Sequence, residues 1–405
     1  MLTLIAALGL VDPSTCAAQP GLSHYDVDLA VDTATGGLAA TATVTLAPDQ
    51  VRAEQTFSLG GVYEIQSATS PDAAIEIQPP EGRSRRVVVR PNAPNGGKPV
   101  VFTLRYAGPL QATGEPPLNA ITPDLVELNL DGGWTPIRTD YTLRYSACLE
   151  IDGLPADAEV ATQGTVTRDG SRVAVARETP DFDLTFVAAR GLRRVTEGGL
   201  EFYAANPDGE IERLYRTHGA GAVSFLEAWL GPLPSRPVRV VVVERARVSG
   251  YARSGYVVVT RGRGGGEHGL GKFIAHEFAH AWSPAADPMS EHHWLVESAA
   301  EYVALRYVEA AFGVETRDAM LEEKRLAAQD VPPILGGGRR GDAVLYAKGC
   351  LLLFELENRM GRERMDALMK DFARERPAVT ADFLALLGRH ADPETVAAFS
   401  DSLRR

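Results

Sequence analysis

The chain has 405 residues, of which 45% are apolar and 23% are charged, and its formal net charge is −12 at pH 7. This length allows two or three domains with a sizeable core, and the composition is ordinary for a globular protein. The acidic balance argues against nucleic acid or an anionic membrane surface as the main partner.

At the N-terminus, residues 2–11 form a short apolar run, and small residues follow at 15–18. This order is typical of a secretory signal peptide, although the Lys or Arg that usually precedes the apolar run is missing. The run is too short to span a membrane. We predict that residues 1–19 are a signal peptide and that the protein is exported, periplasmic or secreted; a buried N-terminal segment is the alternative. Lipidation of Cys16 is a further alternative, which the preceding Pro13-Ser14-Thr15 disfavours.

The three cysteines are Cys16, Cys148 and Cys350. They imply no disulfide framework, and an exported enzyme of this size does not need one. Cys350 lies in a Leu-rich helical stretch and is interpreted as core packing.

Between residues 20 and 195, apolar and polar side chains alternate with a period of two. The alternation is cleanest over 25–32 and 38–46, with a turn between them, and it recurs at 74–77, 86–89, 100–106, 141–151, 172–176 and 182–187. A period of two predicts strands with one buried face, so we predict an antiparallel β domain, a sandwich or curved sheet, over 20–195. Its Asp and Thr side chains are explained as the solvated faces of strands.

The pattern changes near residue 210. Helical spacing over 210–230 ends at Gly231-Pro232, and buried strands are predicted at 238–243 and 255–260. An edge strand before the next helix could hold an extended peptide. Residues 261–272 are rich in Gly and charge, which predicts a flexible flap.

That flap contains a match to a phosphate-binding loop, G-x-x-x-x-G-K, at residues 266–272. Such a loop needs Ser or Thr next to hold Mg²⁺, whereas Phe273 stands there, and Glu267 would lie beside the phosphates. The sequence therefore argues against a nucleotide site. His268 of the same loop could approach a metal, but a solvated side chain is the simpler interpretation.

The strongest signal for chemistry is His276-Glu277-Phe278-Ala279-His280. On a helix, His276 and His280 lie one turn apart on one face and can bind one Zn²⁺, and Glu277 can reach a water on the metal. Glu297, at the start of the next helical pattern, supplies a third ligand. Two His and one carboxylate with a fourth position left for water are typical of a catalytic zinc site. The alternative is a buried helix whose two His are hydrogen-bonded in the core.

Further polar residues follow on the second helix and beyond it. Glu301 lies one turn after Glu297 and is either an acceptor for the free ring N–H of a ligating His or an exposed helical Glu. His292 and His293 are alternative ligands that precede the helix. After a Pro/Gly loop at 332–341, Asp342 is predicted to cap a helix to residue 358 with Tyr346 in its first turn. Helices at 363–374, 380–389 and from 393 complete the chain.

Four passages resemble the gluzincin aminopeptidases, the family of aminopeptidase N and leukotriene hydrolase. Residues 274–282 resemble the family's zinc helix, and residues 294–302 are similar to its W-L-N-E-G-x-x-x-Y segment, with Glu297 at the third ligand. Residues 346–349 resemble its Y-x-K-G, whose Tyr stabilises the tetrahedral intermediate. Residues 25–46 resemble the first hairpin of its N-terminal β-saddle domain.

The sequence also departs from this family. Two residues fewer separate His280 from Glu297 than is usual in it. The family's G-x-M-E-N segment, whose Glu holds the free amine of the substrate, corresponds here to Ser249–Gly255 without any carboxylate. The large C-terminal helical domain of the family is also absent. The resemblance therefore implies an aminopeptidase N-like enzyme that has lost its amine anchor.

Together these observations predict an α+β protein: a signal peptide at 1–19, an antiparallel β-sandwich or saddle domain at 20–195, and a thermolysin-like, mainly helical zinc metallopeptidase domain at 196–405. One Zn²⁺ per chain is predicted on His276, His280 and Glu297. Glu277 is the expected general base and then acid, and Tyr346 the donor to the oxyanion of a peptide substrate.

Two rival hypotheses compete with this prediction. The first is a non-catalytic homologue that binds zinc and peptides, although binding alone would need neither Glu277 nor Tyr346. The second is a structural zinc site, which would need four protein ligands, and no Cys lies close in sequence to suggest one.

Overall fold

The computed structural model describes residues 16, 18–92, 97–111, 118–233, 235–245, 249–262, 265–284 and 286–405. The predicted signal peptide lies outside these residues except for Cys16, Ala18 and Gln19. The chain divides into an N-terminal unit, Met1–Thr139 with Leu143–Gly191, and a C-terminal unit, Asp140–Thr142 with Leu192–Arg405.

The described part of the N-terminal unit is built from strands. They are β1 (Ser23–Asp32), β2 (Gly37–Leu46), β3 (Gln55–Gly60), β4 (Glu64–Thr69), β5 (Ala73–Ile77), β6 (Ser84–Pro91), β7 (Val100–Pro109), β8 (Ala120–Ile121), β9 (Leu125–Leu128), β10 (Ile137–Arg138), β11 (Tyr145–Asp152), β12 (Ala158–Thr162), β13 (Thr165–Asp169), β14 (Arg172–Asp181) and β15 (Phe186–Arg190). They form a seven-stranded sheet in the order β13-β14-β11-β1-β2-β7-β4 and two four-stranded sheets, β10-β3-β6-β5 and β12-β15-β9-β8.

The period of two in the sequence corresponds to one buried face in each long strand. Along β1, Val27, Leu29 and Val31 are buried, while the Asp residues between and after them are exposed. The β domain predicted at this end of the chain is therefore confirmed. Its described strand pairs are antiparallel with one exception, because β1 pairs with β11 in parallel.

This parallel pair lies beside a disulfide between Cys16 and Cys148, the latter in β11. The cysteine count, which implies no disulfide framework, therefore does not reveal this single bond. The two cysteines are 132 residues apart, and only the pairing of β1 with β11 brings the segment before β1 next to residue 148. Local spacing in the sequence carries no information about such a contact.

The C-terminal unit begins with a five-stranded sheet, followed by helices. Its strands are β16 (Arg193–Glu197), β17 (Leu200–Ala204), β18 (Val238–Val243), β19 (Gly250–Arg253) and β20 (Tyr256–Thr260). Its helices are α1 (Glu210–Leu230), α2 (Gly266–Ala279), α3 (Trp294–Phe312), α4 (Val314–Ala327), α5 (Gly349–Met360), α6 (Arg362–Glu375), α7 (Thr380–Leu387) and α8 (Pro393–Ser402). The sheet has the order β16-β17-β18-β20-β19, with β19 antiparallel at the edge.

The structure confirms α1, β18 and α3 where the sequence predicts them, corrects two other predictions and adds one helix. Residues 266–272 form the first two turns of α2 and not a flap, because this stretch continues directly into the apolar face of the helix. α4 was missed, since its sequence is strongly charged and buries only Leu321. Asp342 does not cap a helix, because its own backbone is helical and its side chain makes no capping hydrogen bond; it precedes a π-helical turn, Ala343–Lys348, that leads into α5.

Packing in the C-terminal unit joins α3 to its neighbours through apolar and ionic contacts. The hydroxyl of Tyr302 donates to Glu357 Oε2 at 2.7 Å, and Arg306 Nη1 donates to the Tyr302 oxygen at 2.9 Å and to Asp366 at 3.1 Å. The Arg306 guanidinium also lies 4.9 Å from the centroid of the Trp229 ring. These contacts fix α3 against α1, α5 and α6. Across the described residues, no helix is both long and apolar enough to cross a membrane.

Candidate metal centre

Helix α2 presents His276 and His280 together on one face. The opposite face packs into the core through Leu270, Ile274 and Phe278, which are buried. His280 lies one turn after His276, in the 3₁₀ turn that continues α2, and the two ring centroids are 4.8 Å apart with perpendicular planes. The spacing of four residues therefore places two imidazoles around one point, as the sequence predicts.

Helix α3 brings Glu297 to the same point from its first turn. Its Oε2 lies 3.3 Å from His276 Nε2 and 3.8 Å from His280 Nε2. The three ligand atoms all lie within 4.8 Å of one another. Glu297 Oε2 is buried and accepts no well-aligned hydrogen bond from the described residues. Two imidazole nitrogens and one unsatisfied carboxylate oxygen are a donor set that suits Zn²⁺, so these residues fit a zinc ion.

Charged side chains lie on the far side of His276 from Glu297. Its Nδ1 lies 2.8 Å from Glu301 Oε2, and Glu301 is only 1% exposed. Glu301 Oε1 accepts from Lys272 Nζ at 2.6 Å and also from Lys324 Nζ. Lys324 Nζ donates in addition to the carbonyl oxygen of Tyr346 at 2.8 Å. Glu301 is therefore not an exposed helical Glu: its buried carboxyl group lies against His276 Nδ1, where the partner of a zinc-binding His would stand.

Burial and neighbouring charges oppose each other at these ligands. Burial lowers the pKa of His276, but Glu297 and Glu301 outweigh it and raise this pKa to about 9. At His280 burial dominates and lowers the pKa to about 4. Burial raises the pKa of Glu297 as well, but the charges of His280 and His276 outweigh it and hold this pKa well below its usual range. Glu297 is therefore ionised and ready to bind a cation.

Glu277 faces the edge of the sheet. Burial raises the pKa of its carboxyl group to about 7, although the charges of His276, Arg253 and Lys272 act in the opposite direction. Strand β19 passes close to this carboxylate: a Cβ atom added to Gly250 would lie 3.2 Å from Glu277 Oε1 and 2.7 Å from the Phe273 ring. Only glycine at position 250 allows the strand to approach α2 this closely.

The π-helical turn Ala343–Lys348 carries Tyr346 to the site. The centroid of its ring lies 5.6 Å from that of His276. Burial, followed by the charge of Glu297 and a hydrogen bond with it, holds the pKa of Tyr346 far above 10. Ser298 Oγ donates to the carbonyl oxygen of Leu345 at 2.6 Å and thereby ties the turn to α3. Tyr346 is therefore a neutral hydroxyl donor close to the metal ligands.

The other His residues singled out in the sequence lie around this group rather than in it. His293 Nε2 is 3.2 Å from Glu297 Oε1, so it contacts the third ligand. His292 Nδ1 lies 3.1 Å from Thr380 Oγ1, at the start of α7. His268 is exposed in the first turn of α2, with its ring centroid 4.6 Å from that of Phe312.

Sequence reasoning missed Gly250 and the two lysines that bind Glu301. Lys272 precedes His276 by one helical turn, so its position on the same face of α2 could have been found from helical spacing. Lys324 belongs to α4, and nothing near it in the sequence indicates its partner. In the sequence, Gly250 stands out only as part of Ser249–Gly255, the segment that contains no carboxylate.

No family model and no curated protein matches the sequence. Yeast LTA4 hydrolase has a similar structure, with a TM-score of 0.72 and 16% identity over 93% of this chain and 66% of that chain. An M1 zinc metallopeptidase from Deinococcus radiodurans gives a TM-score of 0.70 and 19% identity over 96% of this chain and 94% of that chain. A mutant of the Deinococcus enzyme, solved with a Tyr-Ser-Ala substrate, gives 0.69 and 20% over 96% of each chain.

This chain thus spans 66% of the length of the yeast enzyme and nearly all of the Deinococcus enzyme. At these identities the comparison concerns the fold alone. The chain has the α+β fold of the M1 zinc metallopeptidases.

Proposed function

We propose that this chain is a zinc-dependent metallopeptidase of the aminopeptidase N-like kind, with Zn²⁺ held by His276, His280 and Glu297. The observation that carries the proposal is the convergence of these three ligand atoms within 4.8 Å, one of them a buried carboxylate oxygen without an aligned hydrogen bond. A zinc ion bound there would act as a Lewis acid on the scissile carbonyl and lower the pKa of an attacking water.

Glu277 is the residue that moves protons in this proposal. Its burial and its pKa of about 7 suit a group that accepts a proton and releases it again near neutral pH. Glu277 takes a proton from the attacking water and then gives it to the leaving amine. Gly250 allows β19 to run past this carboxylate, so an extended peptide paired with the edge strand would have its backbone close to Glu277.

Tyr346 acts on the oxyanion. Its pKa is far above 10, so the hydroxyl keeps its proton and can donate a hydrogen bond to the negative oxygen that develops on the substrate. Its ring lies beside His276, and Ser298 and Lys324 hold the turn that carries it. These contacts support a fixed position for the donor.

The substrate is a peptide in this proposal, in agreement with the Tyr-Ser-Ala peptide bound by the Deinococcus mutant. Recognition of a free α-amine is not expected to dominate. Arg253 ends β19, and its positive charge reaches both Glu277 and His280. A guanidinium whose charge acts on these two residues opposes the binding of an ammonium group beside them, because like charges repel strongly where water is partly excluded. We therefore propose that cleavage depends little on the free amine.

A digest of a broad peptide library by the zinc-loaded protein tests the peptidase proposal. We expect cleavage that disappears with a chelator and returns with added zinc. If the zinc-loaded protein cleaves no peptide in the library, the proposal is wrong.

Comparison of one cleaved peptide with its N-acetylated form tests the amine dependence. Similar rates for both forms would support the proposed mode. Loss of cleavage on acetylation would show that an anchor for the amine exists.

We also propose that the protein is exported, the environment in which a disulfide such as Cys16–Cys148 persists. A cut after residue 19 would remove Cys16. N-terminal sequencing of the exported protein would therefore show whether this disulfide belongs to the mature form.

A further inference from the structure

Four side chains of metal-binding type meet in the N-terminal unit, and the proposed peptidase mechanism uses none of them. In the parallel pair of β1 and β11, His24 is opposite Ser146 and Asp26 is opposite Cys148. His24 Nε2 lies 3.3 Å from Cys148 Sγ and 3.3 Å from Asp26 Oδ1. The fourth group is Cys16, which is joined to Cys148 by the disulfide.

The orientation of the His24 ring is fixed for binding through Nε2. His24 is 2% exposed, and its Nδ1 lies 2.8 Å from Ser146 Oγ. A His that binds a metal through one nitrogen usually has the other in a hydrogen bond, as Ser146 provides here. The Asp26 side chain is 58% exposed, so an ion can reach the cluster from solvent on that side.

The oxidation state of the two sulfurs decides what this cluster can bind. In the disulfide they are neutral and are poor ligands. After reduction they can bind as thiolates, and two thiolates, one imidazole and one carboxylate give four protein ligands. Zn²⁺ takes such a set with tetrahedral geometry, in which neighbouring ligand atoms are about 3.3 to 3.8 Å apart. The contacts of His24 Nε2 with Cys148 Sγ and Asp26 Oδ1 fall in this range.

We propose that, in the chain that is not cut after residue 19 and so retains Cys16, the side chains of Cys16, His24, Asp26 and Cys148 form a second metal site. This site binds a thiolate-preferring divalent ion such as Zn²⁺ only when the disulfide is reduced. A dithiol breaks the S–S bond and becomes a disulfide itself, and the two thiols lose their protons as two metal–sulfur bonds form. In the reverse direction a low-molecular-weight disulfide takes two electrons from the thiolates. The Cys16–Cys148 bond then forms again, both metal–sulfur bonds break, and the ion leaves.

Cobalt binding to the full chain tests the proposal without any peptidase assay. The group of His276, His280 and Glu297 contains no sulfur, so a thiolate-to-Co²⁺ charge-transfer band reports only on the second site. The protein is reduced with excess dithiol, freed of dithiol by gel filtration under inert gas, and titrated with Co²⁺. Thiol counting checks the starting states: one free thiol, that of Cys350, before reduction and three afterwards.

We expect the band to appear only in the reduced protein, to reach its plateau within two equivalents of added Co²⁺, one for each of the two sites, and to disappear when oxidised glutathione is added. Cys148→Ser should abolish it, whereas Cys350→Ala, the matched control, should retain it. Asp26→Asn changes an exposed side chain and should weaken Co²⁺ binding at this site at least about tenfold.

A reduced protein with three thiols and no thiolate band would overturn the proposal, as would an unchanged band in Cys148→Ser. If Cys148→Ser does not fold, an unaltered Co²⁺ affinity in Asp26→Asn would overturn the four-ligand site. The readout does not involve peptide cleavage, so the outcome stands apart from that of the peptidase proposal.

Discussion

The two sides of the group formed by His276, His280 and Glu297 are built differently. Behind His276, which we call the inner side, the contacts are ionic. The carboxylate of Glu301 is 1% exposed and binds Lys272 and Lys324, two lysines from different helices. In front of Glu277, which we call the outer side, strand β19 passes close to the carboxylate, and a Cβ atom at Gly250 would lie 3.2 Å from Glu277 Oε1. The inner side has two cations for one carboxylate, whereas the outer side has no room for a single added methyl group. We therefore expect the inner side to tolerate one substitution and the outer side to tolerate none.

A large effect on turnover is expected at Tyr346, whose ring lies beside that of His276. Tyr346→Phe removes one hydrogen bond to the oxyanion and should reduce turnover by about 10²–10³. Substrate affinity and zinc content should change little, because that bond forms mainly in the transition state. Steady-state kinetics with one cleaved peptide measure the two parameters separately. A variant with wild-type turnover would remove Tyr346 from the chemistry.

Loss of the third ligand should have the next largest effect. Glu297→Ala leaves two protein ligands and should lower the zinc content at least about tenfold, measured by elemental analysis of dialysed protein. Full occupancy in this variant would mean that the third ligand lies elsewhere. His293, which is 3.2 Å from Glu297 Oε1, would then be the first candidate.

The redundancy of the inner side can be broken by removing both lysines. Lys272→Met and Lys324→Met should each change zinc affinity by less than about threefold, because the other lysine still neutralises Glu301. The double variant should lose about 10- to 100-fold, the range observed when the partner of a ligating His is disturbed. Zinc titration of all four proteins forms a double-mutant cycle. Additive effects of the two single changes would contradict the redundancy.

The outer side can be disturbed by one methyl group. Gly250→Ala would place a Cβ atom 2.9 Å from the Val258 carbonyl oxygen and 2.7 Å from the Phe273 ring, so β19 must shift against β20 and the Phe273 ring must move. We expect a loss of about 1–3 kcal/mol in stability and a higher KM, with zinc retained. Gly341→Ala is the matched control, because a Cβ there meets no atom within 4 Å. If the two variants behave equally in urea unfolding and in kinetics, β19 is not tightly packed at Gly250.

The sequence was sufficient where the physical cause is local. His276, Glu277 and His280 follow from helical spacing, and α1 follows from its periodicity and the Gly231-Pro232 stop. Tyr346 was found only through a family resemblance, and its π-helical turn was predicted as an ordinary helix. This turn is fixed by contacts from Ser298 and Lys324, which lie far from it in the sequence.

Long-range pairing also explains the features that the sequence did not indicate. Half of the fourteen residues of helix α4 are charged and only Leu321 is buried, so no broad apolar stripe marks it, yet its Lys324 reaches the buried Glu301. Cys16 meets Cys148 across 132 residues through the pairing of β1 with β11. In both cases the partner is chosen by tertiary structure, which periodicity and spacing do not record.

The most direct test of the central claim compares the wild type with Glu277→Gln, both fully loaded with zinc and given the same peptide. Gln keeps the shape of the side chain and leaves His276, His280 and Glu297 intact, but it cannot accept the proton of the attacking water. We predict equal zinc content in the two proteins, cleavage by the wild type, and no measurable cleavage by the variant. Cleavage at the wild-type rate by a zinc-loaded Glu277→Gln protein would contradict the proposed mechanism.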